Sequence, residues 1–220
     1  MIAPTRVGVL VSGRGSNLAA LLDDAALPDA PYAIALALSN RAGAPALEHA
    51  RRAGAPAHAV ERAGFESRAA QQAEMVRLLR EYGVEIVVTA GFDQILAPTF
   101  VAAYPSRILN VHPSLLPAFA GTLHAQEEAL AHGVKVTGCT VHLVTAEVDA
   151  GPIVAQAAVP VRDDDTVEAL SARILAEERR LLPHVVRLMA TGRVRVEGRR
   201  TALRTALRTN ARLCTLTTND

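Results

Sequence analysis

Short apolar runs alternate with amphipathic segments through the first half of this 220-residue chain. The run at 85–90 is almost continuously apolar, which is typical of a strand buried on both faces of a parallel sheet. The segment at 67–81 has the apolar spacing of a long amphipathic helix. This alternation predicts an α/β fold with a doubly wound, mostly parallel sheet and right-handed crossovers. The predicted strands are 6–11, 32–38, 57–60, 85–90 and 107–112, and the predicted helices are 17–26, 44–53 and 67–81.

The pattern changes after residue 113, where the apolar runs become partly alternating. Two such runs flank a turn at 148–151 and predict an antiparallel hairpin. Asp165 and Thr166 are candidate N-caps of a long final helix that Gly192 closes. The predicted elements of this half are a helix at 124–131, hairpin strands at 135–144 and 152–161, and a final helix at 167–191.

The stretch from Arg199 onward is rich in Arg, Thr and Leu and shows no sustained core pattern. We therefore expect residues 1–198 to form one domain and residues 199–220 to form a flexible C-terminal tail. Nucleic-acid binding through the arginines of this tail is the weaker alternative, because scattered arginines are more often simply solvated.

Composition argues against several functional classes. The 23 basic and 22 acidic residues give a formal charge of +1, so no basic excess attracts nucleic acid or an anionic membrane. Tryptophan is absent and aromatic residues make up 3%, which leaves few platforms for stacking bases. No apolar stretch reaches the roughly 18 residues that span a bilayer, and no signal peptide is visible. With only two cysteines, we expect a protein of the reducing cytoplasm without a disulfide framework.

A carboxamide and an imidazole stand two residues apart at the end of the last buried run. In a strand, Asn110 and His112 point to one face and Val111 points to the other. Open α/β sheets bind their ligands at the carboxyl ends of such strands. Because Asn can hold a carbonyl oxygen and His can exchange a proton near neutral pH, the pair suits attack on a carbonyl carbon. The alternative is a strand end whose histidine is satisfied by a backbone partner.

A glycine-rich loop, SGRGSN at residues 12–17, joins the first predicted strand to the first predicted helix. Backbone N–H groups at a helix N-terminus attract anions, and Gly13 and Gly15 let the backbone approach an oxyanion closely. The loop lacks the third glycine of a dinucleotide fingerprint and the Gly-Lys-Ser/Thr ending of a Walker A loop. We therefore predict a monophosphate site, and a tight turn that binds nothing is the alternative.

A single acidic residue, Asp149, lies in the predicted hairpin turn. An Asp before small turn residues usually only shapes the turn. If the fold brings it next to His112, its charge stabilises the imidazolium.

Several motifs then occur in one order along the chain, and together they carry a family resemblance. They are residues 13–17, 39–41 (Ser-Asn-Arg), 90–92 (Ala-Gly-Phe), 110–117 (Asn-Val-His-Pro-Ser-Leu-Leu-Pro) and 149–152 (Asp-Ala-Gly-Pro). The chain resembles the folate-dependent formyltransferase family from about residue 6 to residue 198. The last two motifs are specific to that fold group, whereas the glycine loop and the single-domain length favour the phosphoribosylglycinamide formyltransferase branch.

The resemblance implies a role for each matching residue. Asn110 would hold the oxyanion, His112 would handle protons, and Asp149 would tune His112; these are the implied catalytic residues. The implied phosphate- and ribonucleotide-binding residues are Gly15, Ser16, Asn17 and Glu178. The implied folate-binding residues are Arg68, Asp93, Gln94, Ile95, Leu96, Asn110, Thr145, Ala146, Glu147, Val148 and Asp149.

The implied reaction moves the formyl group of 10-formyltetrahydrofolate, a co-substrate, to the amine of glycinamide ribonucleotide in de novo purine biosynthesis. It needs no metal, its partners are small molecules, and the protein is expected as a monomer or homodimer. One alternative is a formyltetrahydrofolate deformylase, which hydrolyses the same donor. Another is a non-catalytic sugar-phosphate-binding protein, against which the intact set of Asn110, His112 and Asp149 argues.

The sequence departs from the family pattern in two places. Gln94 stands where the family commonly has Arg, so a charge is missing among the implied folate contacts. The loop at 118–123 lacks a proline and is one residue longer than the family pattern. Two histidines have open interpretations: His124 either lines the pocket or lies on a helix surface, and His142 is predicted as a core or sheet-face residue. The remaining histidines, His49, His58, His132 and His184, show no metal-site spacing.

Overall fold

A computed structural model describes residues 3–204. One seven-stranded sheet runs in the order β3-β2-β1-β4-β5-β6-β7. Its strands are β1 (Thr5–Val11), β2 (Tyr32–Ser39), β3 (Ala57–Ala59), β4 (Ile86–Thr89), β5 (Ile108–His112), β6 (Val136–Leu143) and β7 (Ile153–Pro160). The helices are α1 (Ser16–Ala25), α2 (Pro45–Arg52), α3 (Arg68–Glu81), α4 (Pro98–Ala103), α5 (Ala125–Ala131) and α6 (Val167–Ala190).

The predicted α/β architecture is confirmed. Strands β1 to β5 pair in parallel, whereas β6 pairs antiparallel with β5 and with β7. The β6–β7 pair is the predicted hairpin, and α6 is the predicted long final helix. Each predicted element ends within one residue of the observed one. The sheet therefore gathers the carboxyl ends of its parallel strands along one edge, as ligand sites in this architecture require.

Alternation along β1 explains why helices cover both faces of the sheet. Val7, Val9 and Val11 belong to the core cluster that includes residues of α1, α2 and α6. Leu10 belongs to the opposite cluster, with residues of α3 and α4. Since successive side chains of a strand point to opposite faces, a run that is apolar at every position is buried on both sides.

The chain departs from the sequence predictions at two points. Helix α4 was not predicted, although Pro98 at its first turn is a recognised helix-start signal. The expected flexible tail is wrong for its first residues, because β9 (Arg200–Leu203) pairs antiparallel with β8 (Val194–Glu197). The Thr201 hydroxyl also donates to the Ile153 carbonyl of β7 at 2.7 Å, which ties this small hairpin to the sheet. The rest of the expected tail, 205–220, lies outside the described residues.

Candidate active site

A cleft of about 560 Å³ opens beside the carboxyl ends of β4 and β5. Its walls come from the loops that follow these strands, the start of α3 and the β6–β7 turn. Every residue predicted to bind folate lines this cleft: Arg68, Asp93, Gln94, Ile95, Leu96, Asn110, Thr145, Ala146, Glu147, Val148 and Asp149. Sequence reasoning did not single out several other lining residues, among them Phe92, Leu123 and Val144. His124 is exposed at the start of α5 and does not line the cleft.

The fold brings Asp149 to His112. The Asp149 Oδ2 atom lies 3.4 Å from His112 Nδ1, and both side chains are almost completely buried. On the other side of the ring, His112 Nε2 lies 2.8 Å from the Phe119 carbonyl oxygen. Because a carbonyl only accepts, Nε2 carries a hydrogen, and Nδ1 is the ring nitrogen available for proton exchange. The altered 118–123 loop supplies this contact, and its Gly121 N–H donates to Asp149 Oδ2 at 2.8 Å.

Asn110 is oriented by two neighbours on adjacent strands. The Thr89 hydroxyl donates to Asn110 Oδ1 at 2.6 Å, which fixes the amide so that Nδ2 is the donor side. Nδ2 lies 3.1 Å from His142 Nε2, on the residue that faces Asn110 across the β5–β6 pair. Because the carboxamide oxygen is occupied by Thr89, Nδ2 is the atom that Asn110 offers as a donor to a developing oxyanion.

His142 belongs to the site. It is buried as predicted, yet its Nε2 lies 3.5 Å from Asp149 Oδ1 and its ring lines the cleft. Although burial raises the pKa of Asp149, its contact with His142, the hydrogen bond from the Gly121 N–H and the charge of His112 hold that pKa below its ordinary value. Asp149 therefore stays ionised between two imidazoles. The alternating pattern of β6 suggested a sheet position for His142, but only the register between β5 and β6 places it beside Asn110.

The turn that carries Asp149 leaves no room for a side chain at Gly151. A Cβ at Gly151 would lie 1.8 Å from the Leu143 carbonyl oxygen, so the backbone of the turn would have to move. Asp149 itself has a φ of 51°, a conformation that Asp and Asn tolerate better than most residues.

We expect Gly151→Ala to lower the free energy of unfolding by roughly 1–3 kcal/mol, the usual cost of overpacking. Thermal unfolding measures this loss, and we expect binding of a folate analogue to weaken with it because the turn lines the cleft. Gly64→Ala is the matched control, since no atom lies within 4 Å of its added Cβ. Equal melting temperatures for the two variants would show that the turn accommodates the methyl group.

The Asp93 carboxylate is bound by three other side chains of the protein. Its Oδ1 atom lies 2.8 Å from the Ser12 hydroxyl and accepts from Asn40 Nδ2 at 2.7 Å, while Oδ2 pairs with Arg41. Burial raises the pKa of Asp93, but the hydrogen bonds from Asn40 and Ser12 and the charge of Arg41 hold it below its ordinary value. Asp93 therefore ties the cleft wall to Ser12, the first residue of the glycine loop.

Helix α3 holds the next part of the same wall. The Gln72 side chain donates to the Ile95 carbonyl at 3.0 Å and accepts from the Ala97 N–H at 2.6 Å. Its amide also lies 3.4 Å from Gln94 Oε1. Gln94 stands in the position where the family commonly has Arg, so it brings no positive charge to the cleft. Among the residues that line the cleft, Arg68 is the one basic side chain of the Lys or Arg type.

The glycine loop leads directly into α1. Gly15 precedes the helix with a φ of 78°, and no side chain caps the first turn. A Cβ on Gly15 would lie 2.5 Å from Ala46 Cβ and 2.7 Å from Ala46 Cα, so this position also requires glycine for space. The Asn17 amide donates to Glu178 Oε2 at 2.8 Å, and both side chains are buried. Three of the predicted phosphate residues thus share one helix start, and Glu178 joins them from α6.

Strand β4 alone separates β1 from β5 in the sheet. At about 4.8 Å between neighbouring strands, the glycine loop begins roughly 10 Å from Asn110. A phosphorylated ribose with a short amide arm can span this distance. The loop predicted to bind phosphate and the Asn110–His112–Asp149 cluster are therefore close enough for one such molecule to contact both.

Burial raises the pKa of Glu178 to about 7, against the lowering effects of the Asn17 hydrogen bond and of Arg179. A carboxyl whose pKa is raised on folding stabilises the folded state below its unfolded pKa, and that stability is lost as pH rises through the folded value. We therefore expect Glu178→Gln to stabilise the protein above pH 7, by on the order of 3 kcal/mol at full ionisation.

Melting temperatures of wild type and variant from pH 5 to pH 8.5 measure this difference. Glu177→Gln is the matched control. Glu177 directly precedes Glu178 on α6, but it forms a surface ion pair with Arg180. A Glu178→Gln variant that gains nothing over wild type at pH 8 would contradict the raised pKa.

Known proteins resemble this chain in sequence and in structure. A family model described as formyl transferase matches residues 5–186, most of the chain. The chain belongs to the formyl transferase family. It is 46% identical over 197 residues to the phosphoribosylglycinamide formyltransferase of Mycobacterium tuberculosis, covering 90% of each chain. It is 40% identical over 188 residues to that of Escherichia coli, covering 86% of this chain and 88% of the relative.

Solved structures of family members have the same fold. Glycinamide ribonucleotide transformylase 1 from Symbiobacterium toebii superposes with a TM-score of 0.89 at 52% identity, over 91% of this chain and 94% of that one. The family domain also occurs inside longer proteins. This chain is 42% identical to the trifunctional purine biosynthetic protein adenosine-3 of Bos taurus, of which it spans 19%.

Within 3–204, no group of three or more His, Cys, Asp or Glu side chains is arranged to hold a metal ion. In the same part of the chain, no helix has both the length and the apolar character needed to cross a bilayer.

Proposed function

We propose that this chain transfers the formyl group of 10-formyltetrahydrofolate to the amine of glycinamide ribonucleotide. The meeting of Asn110, His112 and Asp149 carries the proposal, because the cluster lies in a cleft lined by every residue expected to bind folate. The loop predicted to bind phosphate follows β1, which only β4 separates from β5, and relatives of similar length carry the name phosphoribosylglycinamide formyltransferase. The proposed role is a step of de novo purine biosynthesis.

The proposed mechanism assigns the two substrates to opposite ends of the site. The folate lies in the cleft with its formyl group at Asn110, and the exposed side chains of Ile95, Leu123 and Val148 cover its apolar surface. The ribonucleotide places its phosphate on the N–H groups of 15–17. Glu178 accepts from a ribose hydroxyl with the carboxylate oxygen that Asn17 does not use.

The substrate amine attacks the formyl carbon, and the C=O electron pair moves to oxygen. Asn110 Nδ2 donates to the oxyanion that forms; a donor of this kind is worth roughly 10²–10³ in rate. The attacking nitrogen loses a proton, the folate N10 gains one, and the bond between the formyl carbon and N10 breaks. Nδ1 of His112 is the proposed carrier of that proton, since Nε2 is bound to Phe119, and Asp149 stabilises the imidazolium.

The test follows consumption of 10-formyltetrahydrofolate by purified protein, with and without glycinamide ribonucleotide. We expect consumption only when the ribonucleotide is present, with formylglycinamide ribonucleotide formed in equal amount. Release of formate without an acceptor would instead identify a deformylase. If the protein bound both 10-formyltetrahydrofolate and glycinamide ribonucleotide without turnover, the result would favour a non-catalytic sugar-phosphate-binding protein.

A further inference from the structure

A second cavity, of about 360 Å³, lies against the glycine loop and the first turns of α1. Ser16 lines it, so the cavity is continuous with the loop proposed to bind phosphate. Arg14 of the loop, His49 of α2 and Arg179 of α6 also line it. Three separate elements therefore each bring one basic side chain to the same space.

The arginines of this cavity lack the ion pairs that occupy other arginines of the fold. Within the described residues, neither Arg14 nor Arg179 forms a salt bridge, whereas the adjacent Arg180 is bound to Glu177. Both arginines are exposed at the cavity. Their guanidinium groups are therefore available to an anion, and a guanidinium fork matches phosphate oxygens in geometry as well as charge.

His49 adds an N–H group. Arg52 lies 3.2 Å from His49 Nδ1, and because arginine only donates, Nδ1 accepts and Nε2 carries the hydrogen in the neutral ring. One acidic residue, Asp23, also lines the cavity, but it follows Ser16 by seven positions on α1. At 1.5 Å per residue it lies about 10 Å along the helix from the loop, so the end of the cavity at Ser16 is positive.

The charge of Arg179 also acts on Glu178, the other residue predicted to bind the ribonucleotide. Arg179 directly follows Glu178 on α6. Glu178 is in turn bound to Asn17, two residues after Gly15. Ser16 and Arg179, which line the cavity, are thus the sequence neighbours of the buried Asn17–Glu178 pair.

We propose that Arg14 and Arg179, with His49 at the edge, clamp the phosphate of the sugar-phosphate substrate by side-chain charge. The clamp adds to the backbone N–H groups of the loop and rests on the proposed function. It predicts that salt weakens binding of the ribonucleotide, because salt screens the attraction between separated charges.

The test compares Arg14→Gln, Arg179→Gln and the double variant in steady-state formyl transfer. We expect the KM for glycinamide ribonucleotide to rise roughly tenfold in each single variant and about a hundredfold in the double variant, with kcat within about twofold. The KM for 10-formyltetrahydrofolate should stay unchanged. Arg14→Lys and Arg179→Lys, which keep the charge, should recover part of the loss.

Arg180→Gln is the matched control, because Arg180 neighbours Arg179 but is bound to Glu177 and does not line the cavity. Calorimetric binding of ribose 5-phosphate gives a readout that does not depend on turnover. A double variant that matches Arg180→Gln in both measurements would overturn the clamp, as would equal losses for ribose 5-phosphate and unphosphorylated ribosylglycinamide. Failure of the wild type to formylate glycinamide ribonucleotide would instead reject the proposed function, and ribose 5-phosphate binding would still decide about the clamp.

Discussion

Replacing Asp149 with Asn is expected to lower kcat by roughly 10²–10⁴-fold, the usual contribution of a positioned acid–base system. The substitution removes the charge that faces His112 at 3.4 Å and His142 at 3.5 Å and leaves the volume almost unchanged. Asn also tolerates the left-handed backbone that Asp149 adopts, so the turn is expected to keep its shape. Formyl transfer at saturating concentrations of both substrates measures the loss.

The loss should appear in kcat while the KM for each substrate changes by less than about threefold, because Asp149 acts on the imidazoles. Asp163→Asn is a suitable control, since Asp163 is an exposed acid paired with Lys135. Wild-type turnover in Asp149→Asn would remove this carboxylate from the mechanism. An equal loss in Asp163→Asn would point to a general effect of charge on the fold.

Truncating Asn110 to Ala is expected to cost about 10²–10³ in kcat, the range found for loss of one oxyanion donor. The Nδ2 group that would bind the oxyanion disappears, and a donor that strengthens only in the transition state leaves substrate binding nearly unchanged. The same steady-state assay measures the effect, together with affinity for a folate analogue that lacks a transferable formyl group.

Thr89→Val gives a graded comparison. It leaves Asn110 in place but removes the hydroxyl that donates to Oδ1 at 2.6 Å, so we expect a smaller loss of about tenfold. If Asn110→Ala kept more than a third of the wild-type kcat, another group would have to bind the oxyanion. If Thr89→Val were the more severe change, the threonine would itself contact the substrate.

Most of the fold was predictable because the apolar residues that become buried recur along the sequence with the period of a helix or a strand. Every predicted strand and helix was found with its ends within one residue, including the β6–β7 hairpin and α6. The short elements were the difficult ones. Helix α4 spans six residues, and β8 and β9 span four each, so none is long enough to show a clear period. Strand β9 is held by pairing with β8 and by Thr201, which are contacts that a local pattern does not contain.

The sequence predicted which residues line the candidate site, but it did not predict several of the contacts between their side chains. The folate-lining residues were named from motifs, and the structure places all of them around one cleft. The motifs did not reveal that the Asp93 carboxylate is engaged with Ser12, Asn40 and Arg41. They also missed His142, whose position depends on the register in which β6 pairs with β5.

The sequence by itself determined the α/β architecture, the glycine loop at the start of α1 and the pairing of Asn110 with His112 on one strand face. These features are local, since they follow from periodicity, backbone freedom and the alternation of side chains within a few residues. Only the tertiary structure decided that Asp149 reaches His112, that His142 faces Asn110, and that Arg14, His49 and Arg179 line one cavity. Each of these arrangements joins residues that are far apart in the chain. Their distances therefore depend on strand order, strand register and helix packing, which a local sequence pattern does not contain.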